Sequence, residues 1–443
     1  MDREKTFQDV MNELGKTKIV IVSTYLMLFS YFYNLPVMTY SVKGNNELRI
    51  FDFAGLVIMI FYFRNYNLLN GIISNTQVLR FLHQFLFYCN FMMIPTCVHA
   101  IIVDKPYWIF QSLLYLFHFW AFYIATIFLI IIIQDLKHLK RIVTCTLIFG
   151  CLCFLIVILQ NFKLIPFLWN AEYERGYYGF LSGTLGPNKI VLGMTTLIVF
   201  VLAVGLVNEK RVQISKTLLI TTIIISLITL ILSGSRTSYV GLAVFLLYFF
   251  IRETGKFIIT TIVLTVMMIG VSAVTPMLVE KIKEVYEVRV EKKIKSPNAL
   301  QSARADELYE DLGSGRKELS MLYLKYLYDN PYIIPFGIGF NNRLDLISSA
   351  HNTYLSLINE VGLVGVFMYF RWLVGYLFVK MPNFPNMRMA LKGLVISMLV
   401  TLFFGEQLYI YRVLFGLLGL FMFVTILLMS PIFLIKNENQ QTA

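Results

Sequence analysis

Charge is scarce in this chain. Asp, Glu, Lys and Arg make up 14% of its 443 residues, against roughly 25% in soluble globular domains. That shortage excludes an ordinary soluble protein. Cysteine is scarce as well: Cys89, Cys97, Cys145, Cys151 and Cys153 are the full set, and all five lie inside apolar runs. No disulfide framework or thiolate metal site is indicated. The sequence has no Walker loop and no nucleotide-binding glycine fingerprint. It also lacks a paired Cys or His cluster and a concentration of carboxylates suited to a divalent metal. An enzyme built on it is expected to work without ATP, metal or cofactor.

What the sequence has in abundance is apolar length. Hydrophobic residues make up 58% and the mean hydropathy is +0.70. A membrane helix needs about 20 apolar residues, and suitable runs fall near 18–36, 48–63, 79–103, 107–133, 142–160, 188–207, 217–233, 237–251, 256–275, 352–379, 391–405 and 411–435. These runs are continuous rather than alternating, which excludes a β-barrel. The expectation is an all-α polytopic membrane protein of about 12 transmembrane helices.

The formal charge of +12 would suggest nucleic acid in a soluble protein, but here it must be divided by side of the membrane. Lys and Arg alternate between connections. Arg64 and Arg80, then Lys137, Lys140 and Arg141, then Lys210, Arg211 and Lys216, then Arg252 and Lys256, then Lys380, Arg388 and Lys392 fall in the even-numbered ones. With the amino tail and Lys436 that side holds eighteen, against eight in the short connections opposite. Positive residues stay cytoplasmic, so both termini are expected in the cytoplasm, the chain in the cell (inner or plasma) membrane, and no nucleic acid among its partners. Met1–Lys18 has no signal-peptide pattern and reads as a tail. The organisation expected is an amino-terminal five-span region at 1–160, a second region at 161–435 and a short tail at 436–443.

One outer connection, 276–350, is far longer than the rest. Loops of that length are usually functional or carry structure of their own. Its charges balance, eleven basic against eleven acidic, and two amphipathic stretches are expected, at 278–295 and 316–328. In the second, Leu319, Leu322, Tyr323, Tyr326 and Leu327 recur at helical spacing. The segment 295–315 between them reads as a linker.

The candidate chemistry lies on that same face. Arg236, in Ser233-Gly234-Ser235-Arg236-Thr237, stands in a turn too short for a separate loop, among small polar residues at a helix start, a setting suited to a phosphate. An arginine snorkelling to headgroups is the alternative. His351, in Ser349-Ala350-His351-Asn352, precedes a helix that Asn352 can cap. The positive end of the helix dipole favours a neutral imidazole, able to accept a proton, although a lone histidine at an interface often has no catalytic role. Arg316 opens the second amphipathic stretch, where a solvated charge is the alternative reading. Arg175 and Lys189 are weaker candidates of the same kind. Gly362 and Gly365 suit close helix contact, Glu360 is expected to bond a neighbouring helix, and Arg371, about 28 Å along the helix from Asn352, is expected to snorkel at the cytoplasmic end.

Taken in order, these motifs resemble the O-antigen ligase and polymerase superfamily of membrane glycosyltransferases. The Ser-Gly-Ser-Arg-Thr turn at Arg236 is similar to the family's arginine turn. The Ser-Gly-Arg start at Arg316, the Asp329-Asn330-Pro331 step and Gly337-x-Gly339-Phe340 are similar to its outer loop. His351-Asn352 with Gly362-x-x-Gly365 is similar to its histidine signature, and Gly186-Pro187-Asn188 to its Pro-Asn entry to a span. The resemblance covers about 175–370. Tyr332–Phe336 departs from it, because family members commonly run more directly from the Pro to the Gly-x-Gly.

The resemblance implies a GT-C-like fold acting on undecaprenyl-diphosphate-linked oligosaccharides at the outer membrane face, in a pathway with a flippase and a chain-length regulator. It assigns His351 as a general base and Arg236 and Arg316 to the diphosphate, with Arg175, Asn188, Lys189 and Asn352 binding substrate. A polymerase joining repeat units for a capsular, exo- or O-antigen polysaccharide and a ligase moving the finished glycan to an acceptor share these motifs. A composition heavy in Lys, Ile and Phe, as in many Gram-positive bacteria without lipopolysaccharide, leans toward the polymerase. A lipid-linked sugar transporter is a third reading, but transporters place their polar sites near the midplane. Here the mid-span ionisable residues are few: His118, Glu360 and His83.

Overall fold

The computed structural model describes residues 15–39, 47–168, 182–186, 188–255, 316–346, 350–409 and 416–441, with single positions at 258, 280 and 283. Fourteen α-helices run through these residues: α1 (Lys18–Phe32), α2 (Ile50–Arg64), α3 (Tyr66–Asn75), α4 (Gln77–Ile102), α5 (Tyr107–Ile132), α6 (Leu136–Asn161), α7 (Lys189–Val207), α8 (Lys216–Leu232), α9 (Arg236–Arg252), α10 (Arg316–Asp329), α11 (Ile333–Phe336), α12 (Thr353–Gly375), α13 (Pro385–Thr401) and α14 (Leu417–Gln441). A two-residue antiparallel pair, β1 (Met38–Thr39) with β2 (Glu47–Leu48), closes the first connection.

Eleven of the twelve expected spans coincide with helices, and the remaining one, 256–275, lies outside the described residues except for position 258. Among the described residues six helices, α4, α5, α6, α7, α12 and α14, are long and apolar enough to cross a membrane. The pair α2 and α3, bent by 93°, would count as a seventh. The chain is therefore a multi-pass, predominantly helical membrane protein; eleven of the twelve expected spans fall on helices, of which six, or seven with the bent pair, are long and apolar enough to cross a membrane.

Packing, not hydropathy, separates the inner helices from the outer ones, since α6 has the highest mean hydropathy, 2.9, and is only 44% buried. A helix that is apolar all round can face either lipid or the bundle centre. α7, α14 and α5 bury 94%, 89% and 78% of their most apolar stretch, whereas α4, α6 and α12 bury 39–44%. The outer helices turn large apolar side chains outward, among them Phe87, Phe91 and Ile94 on α4 and Leu363 and Phe367 on α12. In a bilayer those side chains meet lipid. Close approach in the centre depends on glycine: a methyl at Gly205 would strike the Ala390 methyl of α13 at 2.5 Å.

The connections sort into two ends, as antiparallel alternation requires. At one end Asn34 N–H donates to the Thr184 carbonyl at 2.9 Å, Trp108 Nε1 to the Asn341 carbonyl at 2.7 Å, and Thr237 Oγ1 to the Phe404 carbonyl at 3.4 Å. At the other, Asn386 Nδ2 donates to the Asn208 carbonyl at 3.0 Å and Arg211 lies 5.5 Å from the centre of the Phe384 ring. Arg371 also sits at this second end, stacked 4.0 Å from the centre of the Phe81 ring and bonded to Gln84.

Candidate functional site

Three helix starts meet at the first end. The first belongs to α7. Asn188 caps it by accepting from the backbone N–H of Ile190 at 2.9 Å and Val191 at 3.3 Å, a standard use of an Asn side chain. Lys189 follows as the first helical residue and is half-buried. One turn on, Gly193 leaves so little room that a methyl there would meet Ser238 Cβ at 2.7 Å and Ser233 Oγ at 3.0 Å. This contact joins α7 to the second start.

That second start is the Ser-Gly-Ser-Arg turn. Gly234 has φ 60°, a conformation that costs glycine little and other residues more. The serines then bond one another. Ser235 N–H donates to Ser233 Oγ at 3.2 Å, Ser238 N–H to Ser235 Oγ at 3.4 Å, and the Ser238 hydroxyl to Ser235 Oγ at 2.9 Å. Ser235 thus caps α9, and Arg236 leads it off, half-buried.

The third start carries His351 and Asn352. Asn352 caps α12 by accepting from Tyr354 N–H at 3.0 Å and Leu355 N–H at 3.3 Å. His351 has φ 50°, the left-handed region, which costs an L-residue roughly 1–2 kcal/mol. The turn after α13 holds this start in place: Thr353 N–H donates to the Leu402 carbonyl at 2.9 Å and Thr353 Oγ1 to the Gly405 carbonyl at 2.8 Å. Thr237, next to Arg236, bonds Phe404 of the same turn. One four-residue stretch therefore ties the Arg236 and His351 helix starts together.

In the long connection, α10 begins at Arg316. Its inward stripe is Leu319, Tyr323, Tyr326 and Leu327, while Leu322, expected on that stripe, is 37% exposed. Tyr323 is fully buried against Leu346 and Ala350, so the helix that Arg316 begins packs on the residue preceding His351. Tyr326 donates to Asp345 Oδ2 at 2.7 Å; burial and this carboxylate push its phenol pKa upward. Arg175 and the stretch 284–315, including most of the first amphipathic segment, lie outside the described residues.

The connection turns into the bundle at 333–342. α12 is interrupted at Gly362 (φ 64°, ψ −175°), about 14 Å along the helix from Thr353. The break frees carbonyls, and the loop descends to take them. Ile338 N–H donates to the Asn359 carbonyl at 2.8 Å and Gly339 N–H to the Glu360 carbonyl at 2.9 Å. The Tyr88 hydroxyl of α4 donates to the Val361 carbonyl at 3.1 Å. Non-helical backbone at membrane depth is tolerated only when buried and satisfied in this way. A methyl at Gly337 would press into the Glu360 carbonyl, and one at Gly362 into the Pro335 carbonyl of α11. Gly362, expected to serve helix contact, thus also breaks the helix and seats the loop. The departing segment Tyr332–Phe336 supplies α11, the turn that meets it.

Glu360 was expected to bond a neighbouring helix; its ionic partner is instead the loop residue Arg343. Arg343 Nε donates to Glu360 Oε1 at 2.6 Å and Nη1 to Glu406 Oε2 at 3.1 Å. Glu360 Oε2 accepts from Tyr409 OH at 3.1 Å and Asn341 N–H at 2.9 Å, and Ser356 donates to Glu406. The carboxylate side chains are 1% and 0% exposed. Sequence reasoning missed Arg343 and Glu406. The available signal was that Glu406 is the one acidic residue between Glu360 and Glu438, a carboxylate in apolar surroundings that needs a partner.

The chain matches no curated protein. Residues 221–370, which hold Arg236, Arg316, Arg343, His351 and Glu360 but not the Gly186-Pro187-Asn188 entry, match the family model described as O-antigen ligase, and this match supports the O-antigen ligase and polymerase superfamily for the chain.

Proposed function

We propose that this protein is a GT-C-like membrane glycosyltransferase. In this reading it polymerises undecaprenyl-diphosphate-linked oligosaccharide repeat units into a capsular, exo- or O-antigen polysaccharide at the outer face of the cell membrane, with both termini cytoplasmic. The observation that carries the reading is the gathering of the Lys189, Arg236 and His351 helix starts at one end of the bundle, around the turn at 402–405. Helix starts present N–H groups and the positive end of the dipole, which suits a diphosphate. Residues 161–435 would form the catalytic region and 1–160 an accompanying five-span region. A flippase that delivers the lipid-linked unit and a chain-length regulator would be its pathway partners.

The reaction needs one bond made and one broken. An acceptor sugar hydroxyl attacks the anomeric carbon, its proton passes to His351, and the bond from that carbon to the diphosphate oxygen breaks with the electron pair leaving on the lipid diphosphate. His351, standing just before a helix start, is suited to accept the proton. Arg236 and Arg316 meet the charge that grows on the leaving group, the stage at which electrostatic stabilisation counts most, and guanidinium can grip phosphate oxygens at two points. Arg175, Lys189, Asn188 and Asn352 complete the substrate contacts. Free energy comes from the activated diphosphate.

Purified protein given lipid-linked repeat units and no other acceptor tests the reading. A ladder of products is expected. A single unchanged band that converts only when a separate acceptor is added would replace the polymerase with a ligase, and no sugar transfer under either condition would end the glycosyltransferase reading.

A further inference from the structure

Because Gly362 interrupts α12, the segment 353–361 that carries His351 and Asn352 at its head is not held by the rest of its own helix. Something else must fix it. Three of its residues, Thr353, Ser356 and Glu360, recur at spacings of three and four and so share one face, and all three are anchored on that face. Thr353 bonds the Leu402 and Gly405 carbonyls, Ser356 bonds Glu406, and Glu360 bonds Arg343, Tyr409 and the Asn341 N–H. The first two anchors lie on the stretch 402–406. The third is joined to that stretch by Arg343, whose second prong reaches Glu406.

From this arrangement we infer that Arg343, bridging Glu360 and Glu406, is the positioning residue for His351. The inference rests on the reading of His351 as the proton acceptor. A buried guanidinium held between two carboxylate side chains is a poor choice for stability alone, since well-packed apolar residues commonly do as well as a buried ion pair. What the bridge supplies is geometry. Arginine's planar fork fixes two carboxylates from two chain segments in one plane, which a flexible lysine cannot do. The same guanidinium comes from the loop that fills the helix break, so the loop, the His351 segment and the turn beside Arg236 are set by one group. Arg343 touches no reacting atom in this scheme and acts through the helix start.

The test uses the full-length protein with two readouts. In turnover of lipid-linked repeat units, Arg343→Lys should lower kcat by about a hundredfold, the loss expected when a reacting group is misplaced by an ångström, with donor KM changed by less than about twofold. The neutral variant Arg343→Met/Glu360→Gln/Glu406→Gln removes every unpaired charge and should melt near wild type, yet it should keep the kcat defect. The second readout needs no activity. With the five native cysteines replaced, a His351→Cys thiol should react with a water-soluble maleimide roughly tenfold faster once Arg343→Lys is added, as local opening becomes easier.

Activity that follows only the folded fraction, or recovers fully in the neutral variant, would reduce the cluster to a structural ion pair and overturn the inference. Thiol reactivity that does not change would do the same. If the wild type transferred no sugar but the thiol still responded, the functional reading would fail and the positioning of residue 351 by Arg343 would stand.

Discussion

Two buried polar clusters among the described residues are built differently. In the amino-terminal region Asp52, on the first turn of α2, pairs with His118 of α5, and its other oxygen accepts from Arg49 N–H at 2.6 Å. Phe51 stands edge-on to the His118 ring with centres 5.1 Å apart. Each partner sits on a regular helix, so the pair joins two elements that already have their own shape. The Arg343 cluster instead joins a re-entrant loop, a helix segment beyond a break and a turn, none of which can set its own position. A buried polar contact between intact helices supplies adhesion. Among non-helical segments it supplies placement, and the second kind lies beside the candidate site.

The sharpest way to break the comparison is at the candidate base itself. Asn tolerates the left-handed region that His351 occupies, so His351→Asn should keep the turn while removing the proton acceptor. Turnover should fall by about 10²–10⁴-fold with binding of the lipid-linked donor retained. Near-normal turnover would make His351 an orienting residue. Next in size, Arg236→Lys should cost about 2–4 kcal/mol of transition-state stabilisation, by analogy with a lost oxyanion donor, or roughly a hundredfold or more in rate. Full activity in the Lys variant would leave only a diffuse electrostatic role.

Gly362→Ala sharpens the comparison from the backbone side. Its methyl would press on the Pro335 carbonyl at a positive φ, so either α11 lifts or the break closes. The variant should be destabilised by about 1–3 kcal/mol, seen as a lower melting temperature, and should lose turnover beyond its loss of folded protein. Unaltered turnover per folded molecule would show that the seat of the loop is not needed for the site. The smallest functional effect belongs to the amino-terminal pair. Asp52→Ala leaves two buried donors without an acceptor and should cost about 1–3 kcal/mol of stability, with kcat per folded molecule unchanged. A large fall in kcat would place this pair in the machinery and erase the distinction drawn above.

Much of the architecture was legible in sequence because hydropathy and charge act locally. Apolar runs located eleven of the helices, and the spacing of Leu319, Tyr323, Tyr326 and Leu327 gave α10 its inward face. Asn188, Ser235 and Asn352 cap helices, and Asn352 was readable as a cap because that role is played by the residue at the start itself. Not legible were the descent of Ile333–Asn342 to the depth of Gly362 and the pairing of Arg343 with Glu406, 63 residues apart. Nothing in the local pattern around a loop arginine says which distant carboxylate it will meet.

The sequence by itself determined that this chain must bury long apolar helices in a bilayer, where they begin, and which polar residues stand at those beginnings, since each follows from the solvent that a short stretch can tolerate. Only the tertiary structure decided that the Lys189, Arg236 and His351 starts meet at one end, that Gly362 opens α12 to receive a loop, and that one buried guanidinium holds the result. Those outcomes depend on contacts between residues far apart in the chain, and a carbonyl freed at a helix break acquires its partner only when the whole bundle has assembled.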